Sequence, residues 1–372
     1  ALACFEEAAA LGNVEAMYYA GMCYLKAADG DRKLLEKATK HLYDATVAGK
    51  PDCFAQLMNI AEMNIAYAQN CVGVCYAQGY SVERNQHEVV KWYLKAAEQG
   101  YDRAQSNLAL LYKYGRGVKQ SYIETVKWYQ KAADQGYARA QDRLGMCYDD
   151  GLGVGRSCSE AMIWFLKAAE QGNRNSQYKA GCHYMSGNGG VQSYDEGAKW
   201  LRKAAEQNHR GAQCNLGLCY VYGKGVEQSY EEAAKWLRKA AEKGHVDAQY
   251  CLGFCYEHNQ GVAKNLGEAK KWYQKAADQG HEKAKDRLEV LARIEEYEKK
   301  GWFTKDVEND PPTIPLKPEE VDFLRKKTPS TSAEQTRQND NRATVTTVFS
   351  INFSRMISVE VYSTFMVVMV VK

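Results

Sequence analysis

The chain has 372 residues, and its 49 basic and 46 acidic side chains leave a net charge of +3 at pH 7. Nucleic-acid-binding domains usually carry a concentrated basic patch and a much higher isoelectric point than the value of about 8.1 found here. The composition therefore argues against strong nucleic-acid binding. Charged residues make up 26% of the chain, which is ordinary for a surface exposed to water.

The first 67 residues carry only a weak form of the pattern that becomes regular later. Residues 1–50 contain divergent repeats, in which Gly12 and Gly49 are 37 residues apart. The chain opens with Ala1 partway through a repeat, so we expect a fragment whose upstream domains or targeting segments lie outside it. Residues 51–67 form an insertion that we expect either to lengthen a first helix or to add one.

Residues 68–283 repeat with a regular period. Six of the seven tryptophans are each 36 residues apart, at Trp92, Trp128, Trp164, Trp200, Trp236 and Trp272. The same step separates the glycines Gly100, Gly136, Gly172, Gly244 and Gly280, with Asn208 in the remaining place. A fixed period of this length is typical of stacked helical hairpins, which have no central active site.

Each repeat reads as two amphipathic helices joined by a glycine turn. Apolar residues recur at spacings of three and four before and after the turn, as expected for two buried helix faces. Gly115 and Gly117 allow the chain to reverse, and Ser121 stands where a helix N-cap belongs. Asn208 and Asn259 replace glycine in two repeats, and Asn is the residue after Gly that best tolerates a positive φ.

The Gly-x-Gly-Val turn at 115–118, the tryptophan ladder and the paired alanines together resemble the Sel-one-like repeat, a relative of the tetratricopeptide repeat. The resemblance is strong over residues 68–283. It implies an all-α fold, a right-handed superhelix of helix-turn-helix repeats whose first helices line a concave surface. It also implies a non-catalytic scaffold or adaptor that binds protein or peptide partners along that surface.

The chain after residue 283 changes character. Residues 284–301 are predicted to form a capping helix, with Leu288, Leu291 and Ile294 at spacings of three. The prolines and polar residues of 302–372 predict a linker and a largely disordered tail. The last stretch, from residue 345, is apolar, but its longest uncharged run of eleven residues is too short for a membrane helix. We therefore expect no membrane association for this stretch. It is instead an edge strand, an unstructured tail or a sequence artefact.

The twelve cysteines do not follow a disulfide pattern. Five of them occupy one repeat position, where Leu111 and His183 also occur, so we expect small buried side chains in the reduced state: Cys23, Cys75, Cys147, Cys219 and Cys255. In cysteine-rich bacterial members of the resembled family, two cysteines join neighbouring helices, but here Ala97 and Gln105 fill those positions. We therefore expect a reducing, cytoplasmic compartment.

No cofactor or metal site is predicted. His209, His245 and His281 are 36 residues apart, and equivalent atoms of stacked repeats are roughly 8–10 Å apart. Metal ligands converge far more closely, since metal–nitrogen bonds are near 2 Å. We interpret these histidines as residues of the turn that enters each first helix.

One catalytic pattern, Ser-x-x-Lys, occurs in the sequence without the motifs that usually accompany it. Ser176 and Lys179 fit Ser-x-x-Lys, the nucleophile pattern of penicillin-recognising enzymes. Ser176 falls in a column otherwise held by alanine, and the accompanying Ser-Asp-Asn and Lys-Thr-Gly motifs do not follow it. We predict that the chain is not an enzyme, although a secreted penicillin-binding effector remains a weaker alternative.

Variable positions on the first helices are the ones free to recognise a partner, because the repeat positions are committed to the fold. The predicted protein-binding residues are a basic ridge and two aromatic anchors: Arg103, Arg139, Arg143, Lys179, Tyr114 and Tyr222. The alternative is that these side chains are simply solvated. A second possible function is the interaction half of a larger enzyme, such as a kinase, whose catalytic domain lies upstream.

Overall fold

The computed structural model describes residues 2–299, so the predicted linker and tail at 302–372 lie outside the described residues. The described part contains 17 helices and no strand. The helices are α1 (Leu2–Ala10), α2 (Val14–Ala27), α3 (Arg32–Val47), α4 (Asp52–Glu62), α5 (Ala66–Gln78), α6 (Gln86–Glu98), α7 (Asp102–Tyr114), α8 (Tyr122–Asp134), α9 (Ala138–Asp150), α10 (Cys158–Glu170), α11 (Arg174–Ser186), α12 (Tyr194–Glu206), α13 (Arg210–Tyr222), α14 (Tyr230–Glu242), α15 (Val246–Glu257), α16 (Leu266–Asp278) and α17 (Glu282–Lys299).

The described residues divide into two compact units, 2–236 and 237–299, and the boundary falls within α14. In the first unit, consecutive hairpins are formed by α5 with α6, α7 with α8, α9 with α10, and α11 with α12. Helix α4 lies within the insertion that the sequence predicts at 51–67. The prediction of an all-α repeat fold is confirmed.

The helix ends follow the local sequence. Ser121 is the N-cap of α8, and its side chain accepts a hydrogen bond from the backbone N–H of Glu124. Gly115 ends α7 in the left-handed conformation, with φ at +65°. Asn208 and Asn259 have φ values of +65° and +57°, as predicted from their place in the glycine columns. These caps satisfy backbone groups that a helix end leaves without partners.

The second glycine of the turn serves the contact between repeats. Gly117 has a φ of +70°, and a Cβ atom at this position would lie 2.6 Å from the carbonyl oxygen of Gln86, the first residue of α6. The turn after α7 therefore rests directly on the start of the preceding repeat's second helix. Only a residue without a side chain permits this approach.

The core of each repeat is built from alanine and tryptophan. The paired alanines of the second helices are all buried, and Ala132 and Ala133, for example, are at most 1% exposed. Trp92, Trp128, Trp164 and Trp200 are 2–8% exposed, whereas Trp236 and Trp272 are half-buried. Four of the six indoles of the ladder are therefore fully buried.

Lysines cover the outer side of the indole rings. The ammonium of Lys131 lies 4.2 Å from the centroid of the Trp128 ring, and Lys167 and Lys203 are each 4.1 Å from Trp164 and Trp200. Such cation–π contacts contribute about 0.5–1 kcal/mol at exposed sites. In these three repeats the lysine that follows the tryptophan by three residues therefore completes the cover of the core.

A buried glutamine links adjacent repeats at a recurring position. Gln105 donates from Nε2 to the backbone oxygen of Ala97 at 3.1 Å, and its Oε1 accepts from Gln135 Nε2 at 2.8 Å. Gln141 makes the equivalent bonds to Ala133 and Gln171. Ala97 and Gln105 are the two positions at which the resemblance to cysteine-rich family members would place cysteines, and here a hydrogen bond joins them.

In the second compact unit, α17 packs against α16 and buries Ala284 and Leu291. Glu257, at the end of α15, is 8% exposed and pairs with Arg287 of α17. The same carboxylate accepts a hydrogen bond from the Tyr273 hydroxyl of α16 at 2.7 Å. One buried acid therefore ties three helices together.

Candidate functional site

The six predicted binding residues all lie on first helices of the first compact unit. Arg103 is the second residue of α7 and Tyr114 its last, and Arg139 and Arg143 belong to α9. Lys179 lies on α11 and Tyr222 ends α13. We call the surface formed by the side chains of α5, α7, α9, α11 and α13 that project away from the second helices the first-helix face.

Two of the four predicted cations are paired with acids. Arg143 Nε lies 4.0 Å from Asp142 Oδ2, and Lys179 Nζ lies 3.3 Å from Asp149 Oδ2 of the preceding repeat. Arg103 and Arg139 are exposed, and neither guanidinium has a hydrogen bond or ion pair with another described residue. The structure therefore divides the basic ridge into two paired cations and two unpaired ones.

Asp149 is the centre of a polar cluster that sequence reasoning missed. Its Oδ1 lies 3.4 Å from His183 Nε2, while His183 Nδ1 lies 3.0 Å from the backbone oxygen of Asn188. The bond from His183 and the nearby Lys179 lower the pKa of Asp149 to about 2. Asp149 therefore stays charged and holds α9 against α11.

Asp142 and Ser176 form a second contact between the same two helices. The Ser176 hydroxyl donates to Asp142 Oδ1 at 2.7 Å, and Ser176 is completely buried. Burial raises the pKa of Asp142, although this bond and the cations around it act in the opposite direction. The hydroxyl of the Ser-x-x-Lys pattern thus points at an internal carboxylate, as its place in the alanine column suggests.

The two predicted aromatic anchors lie beside cations of their own repeats. Tyr114 is 55% exposed, and the guanidinium of Arg116 lies 5.3 Å from its ring centroid. Tyr222 is half-buried, with Lys224 6.0 Å from its ring. Both tyrosines stand at the end of a first helix, next to the glycine turn, while Arg103 and Arg139 stand at the opposite end.

The histidine column is explained by helix capping. His209, His245 and His281 precede α13, α15 and α17, and each accepts a backbone N–H at Nδ1, over 3.1, 3.4 and 3.2 Å. Asn173 performs the same task for α11 with its side-chain oxygen. The interpretation of these histidines as helix-entry residues is confirmed.

Four of the five cysteines of the column lie in the core, whereas Cys23, also predicted to be buried, is only half-buried. Cys75, Cys147, Cys219 and Cys255 are at most 2% exposed, and burial raises the pKa of Cys75, Cys219 and Cys255 to about 12. These thiols are therefore unreactive at neutral pH. Among residues 2–299, no group of three or more His, Cys, Asp or Glu side chains is arranged to hold a metal ion.

These features define the class of protein: a helical repeat protein of the α-solenoid type. Eight segments match the Sel1 repeat model, at 1–13, 14–43, 66–101, 102–137, 138–173, 174–209, 211–245 and 246–281. The chain belongs to the Sel1 repeat family.

Two solved structures are similar to the chain. One is c5321, a protective antigen of uropathogenic Escherichia coli, with 32% identity and a TM-score of 0.62 over 78% of this chain and 59% of c5321. The other is a Sel1 repeat protein from Oxalobacter formigenes, with 31% identity and a TM-score of 0.53 over 70% of this chain and 96% of that protein. No curated protein gave a significant match. The chain thus spans somewhat more than half of c5321.

No helix between residues 2 and 299 has both the length and the hydrophobicity needed to cross a bilayer.

Proposed function

We propose that the protein is a non-catalytic scaffold that binds a protein partner through the first-helix face. The observation that carries the proposal is the placement of Arg103 and Arg139, which are exposed at the same position of two successive repeats without an internal partner. Two lysines of the second helix α8 have such partners, by contrast: Lys131 covers Trp128, and Lys127 pairs with Glu124.

Binding spread over several repeats suits this architecture. Each repeat contacts its neighbours, so a long surface of similar side chains is available to an extended partner. Ser176, the candidate nucleophile of the Ser-x-x-Lys pattern, is buried and donates to Asp142, so it helps to hold two repeats together. This supports recognition over catalysis.

We also propose a reducing, cytoplasmic location. The support is the burial of Cys75, Cys147, Cys219 and Cys255 as core side chains in a position that Leu111 also fills. Fractionation of cells that express the complete protein tests this proposal, and recovery from a secreted fraction would contradict it.

Site-specific photo-crosslinking tests the binding proposal. A photoreactive phenylalanine replaces Asn107 or Asn175 on first helices, and Lys127 or Lys199 on second helices serves as the matched control. We expect one defined protein to crosslink from both first-helix positions and from neither control. Equal crosslinking from the second helices would contradict the proposal.

A further inference from the structure

The unpaired cations of the first-helix face are in a position that stability alone does not favour. Arg139 lies in the first turn of α9, where the helix dipole places partial positive charge. A cation there costs a few tenths to about 1 kcal/mol, and an acid would be favourable. The equivalent residues in the second compact unit are Asp247, in the first turn of α15, and Lys283, in the first turn of α17.

Tyrosines flank the two arginines. Tyr101 and Tyr137 precede α7 and α9, and both are half-buried against the core of the first compact unit. Tyr67 of α5 adds a third ring, 6.1 Å from that of Tyr101. Burial raises the pKa of Tyr101 to about 12, so its ring remains neutral at physiological pH. Each arginine therefore follows a tyrosine by two residues at the start of a first helix, Arg103 after Tyr101 and Arg139 after Tyr137.

A side-chain amide pair lies on the same helices. Asn107 Nδ2 donates to Asn70 Oδ1 at 3.1 Å across α7 and α5. An amide nitrogen has two hydrogens, so Asn107 keeps a second one for another acceptor. A peptide carbonyl is such an acceptor. Cations recognise the carboxylates of acidic side chains, and aromatic rings and an amide donor can contact the rest of an extended peptide.

We propose that α5, α7 and α9 bind an extended peptide with two acidic residues three positions apart, a proposal that rests on the binding function proposed above. Neighbouring helices pack roughly 8–10 Å apart. An extended polyproline II chain rises about 3.1 Å per residue, so positions i and i+3 are about 9 Å apart. One carboxylate then meets Arg103 and the other meets Arg139, with the intervening residues over the tyrosine rings.

The probe is a fluorescein-labelled peptide with the sequence Gly-Pro-Glu-Pro-Pro-Glu-Pro-Gly. Fluorescence polarisation measures its binding to the full chain at an ionic strength of about 0.1 M, where the Debye length is about 10 Å. We expect saturable binding that weakens at least about tenfold when both glutamates become glutamine, because charged hydrogen bonds are lost. The double variant Arg103→Glu, Arg139→Glu should weaken binding at least as much.

The matched control is the double variant Lys40→Glu, Lys119→Glu. It changes the net charge by the same amount at two exposed residues outside α5, α7 and α9, and it should leave the affinity within about twofold, since surface charges beyond a Debye length are screened. Circular dichroism verifies that both double variants remain helical. Were the Arg103/Arg139 variant unfolded, the single changes Arg103→Gln and Arg139→Gln would take its place, each expected to weaken binding about threefold.

Three results would overturn this proposal: no saturable binding by the wild type, equal binding of the glutamine peptide, or equal loss in both charge-reversal variants. Competition by a short RNA at the same concentration as the peptide would overturn it as well. The proposed scaffold function fails separately, through the crosslinking experiment. If position 107 still crosslinks a partner while the arginine variants bind that partner normally, the first-helix face binds proteins but does not recognise acidic residues through Arg103 and Arg139.

Discussion

Replacement of Gly117 by alanine tests how the repeats stack. The added Cβ would lie 2.6 Å from the Gln86 carbonyl oxygen and 3.0 Å from Val90 Cγ2, in a residue whose φ is +70°. The left-handed conformation costs an alanine about 1–2 kcal/mol, and overpacking costs about 1–3 kcal/mol more. A small gain from reduced freedom of the unfolded chain offsets part of this, so we expect a loss of about 2–4 kcal/mol.

Two other glycines separate the contributions. Gly136 has a φ of +88° but open space around its Cα, so Gly136→Ala should cost only the conformational part, about 1 kcal/mol. Gly155 also has open space, and its φ is not positive, so Gly155→Ala should be neutral or slightly stabilising.

The assay is urea unfolding followed by circular dichroism, with hydrogen exchange of α6 and α7 to locate the effect, because repeat arrays need not unfold in one step. The expected order of stability is Gly155→Ala, then Gly136→Ala, then Gly117→Ala. Equal losses for the last two would show that the turn does not rest on the preceding repeat, and our account of stacking would be wrong.

Three further changes probe other contacts. Burial lowers the pKa of His281, so the neutral ring is favoured in the folded state and stability is lost as the pH falls below about 6.5. The variant His281→Asn, which copies the cap used by Asn173, should reduce that loss of stability. Thermal unfolding at pH 5 and pH 7.5 measures the difference. Glu257→Gln leaves Arg287 buried without its acid and should cost about 3 kcal/mol, seen as faster hydrogen exchange in α17, whereas an unchanged rate would contradict the assigned role. Gln105→Leu removes both hydrogen bonds of a buried amide and should cost about 1–3 kcal/mol in urea unfolding, and a neutral result would mean that water replaces them.

Much of the fold follows from the sequence because few residue types can adopt the backbone conformation that the turns require. Positive φ values at turn positions demand glycine or asparagine, which is why Asn208 and Asn259 could be placed without a structure. The N-cap role of Ser121 is equally local, since it depends on a hydrogen bond to a residue three positions away. The tryptophan period adds the long-range order, because identical spacing in successive hairpins lets equivalent faces meet.

The candidate site was only partly predictable, because variation along a repeat column shows which residues are free of the fold but not which have partners. Lys179 and Asp149 are 30 residues apart, the same separation as Arg287 and Glu257, which occupy the equivalent positions three repeats later. This offset between successive repeats was the signal that could have paired them. His183 occupies the position that cysteine holds in other repeats, which predicts a small core residue. Its Nε2 instead contacts Oδ1 of Asp149 in the preceding repeat.

The most direct test of the central claim, that a partner lies along the first helices of several repeats, is hydrogen exchange of the full chain with and without the protein captured by crosslinking. The account predicts slower exchange in α7, α9 and α11 together, with α8, α10 and α12 unchanged. Protection confined to the second helices, or to a single repeat, would contradict it.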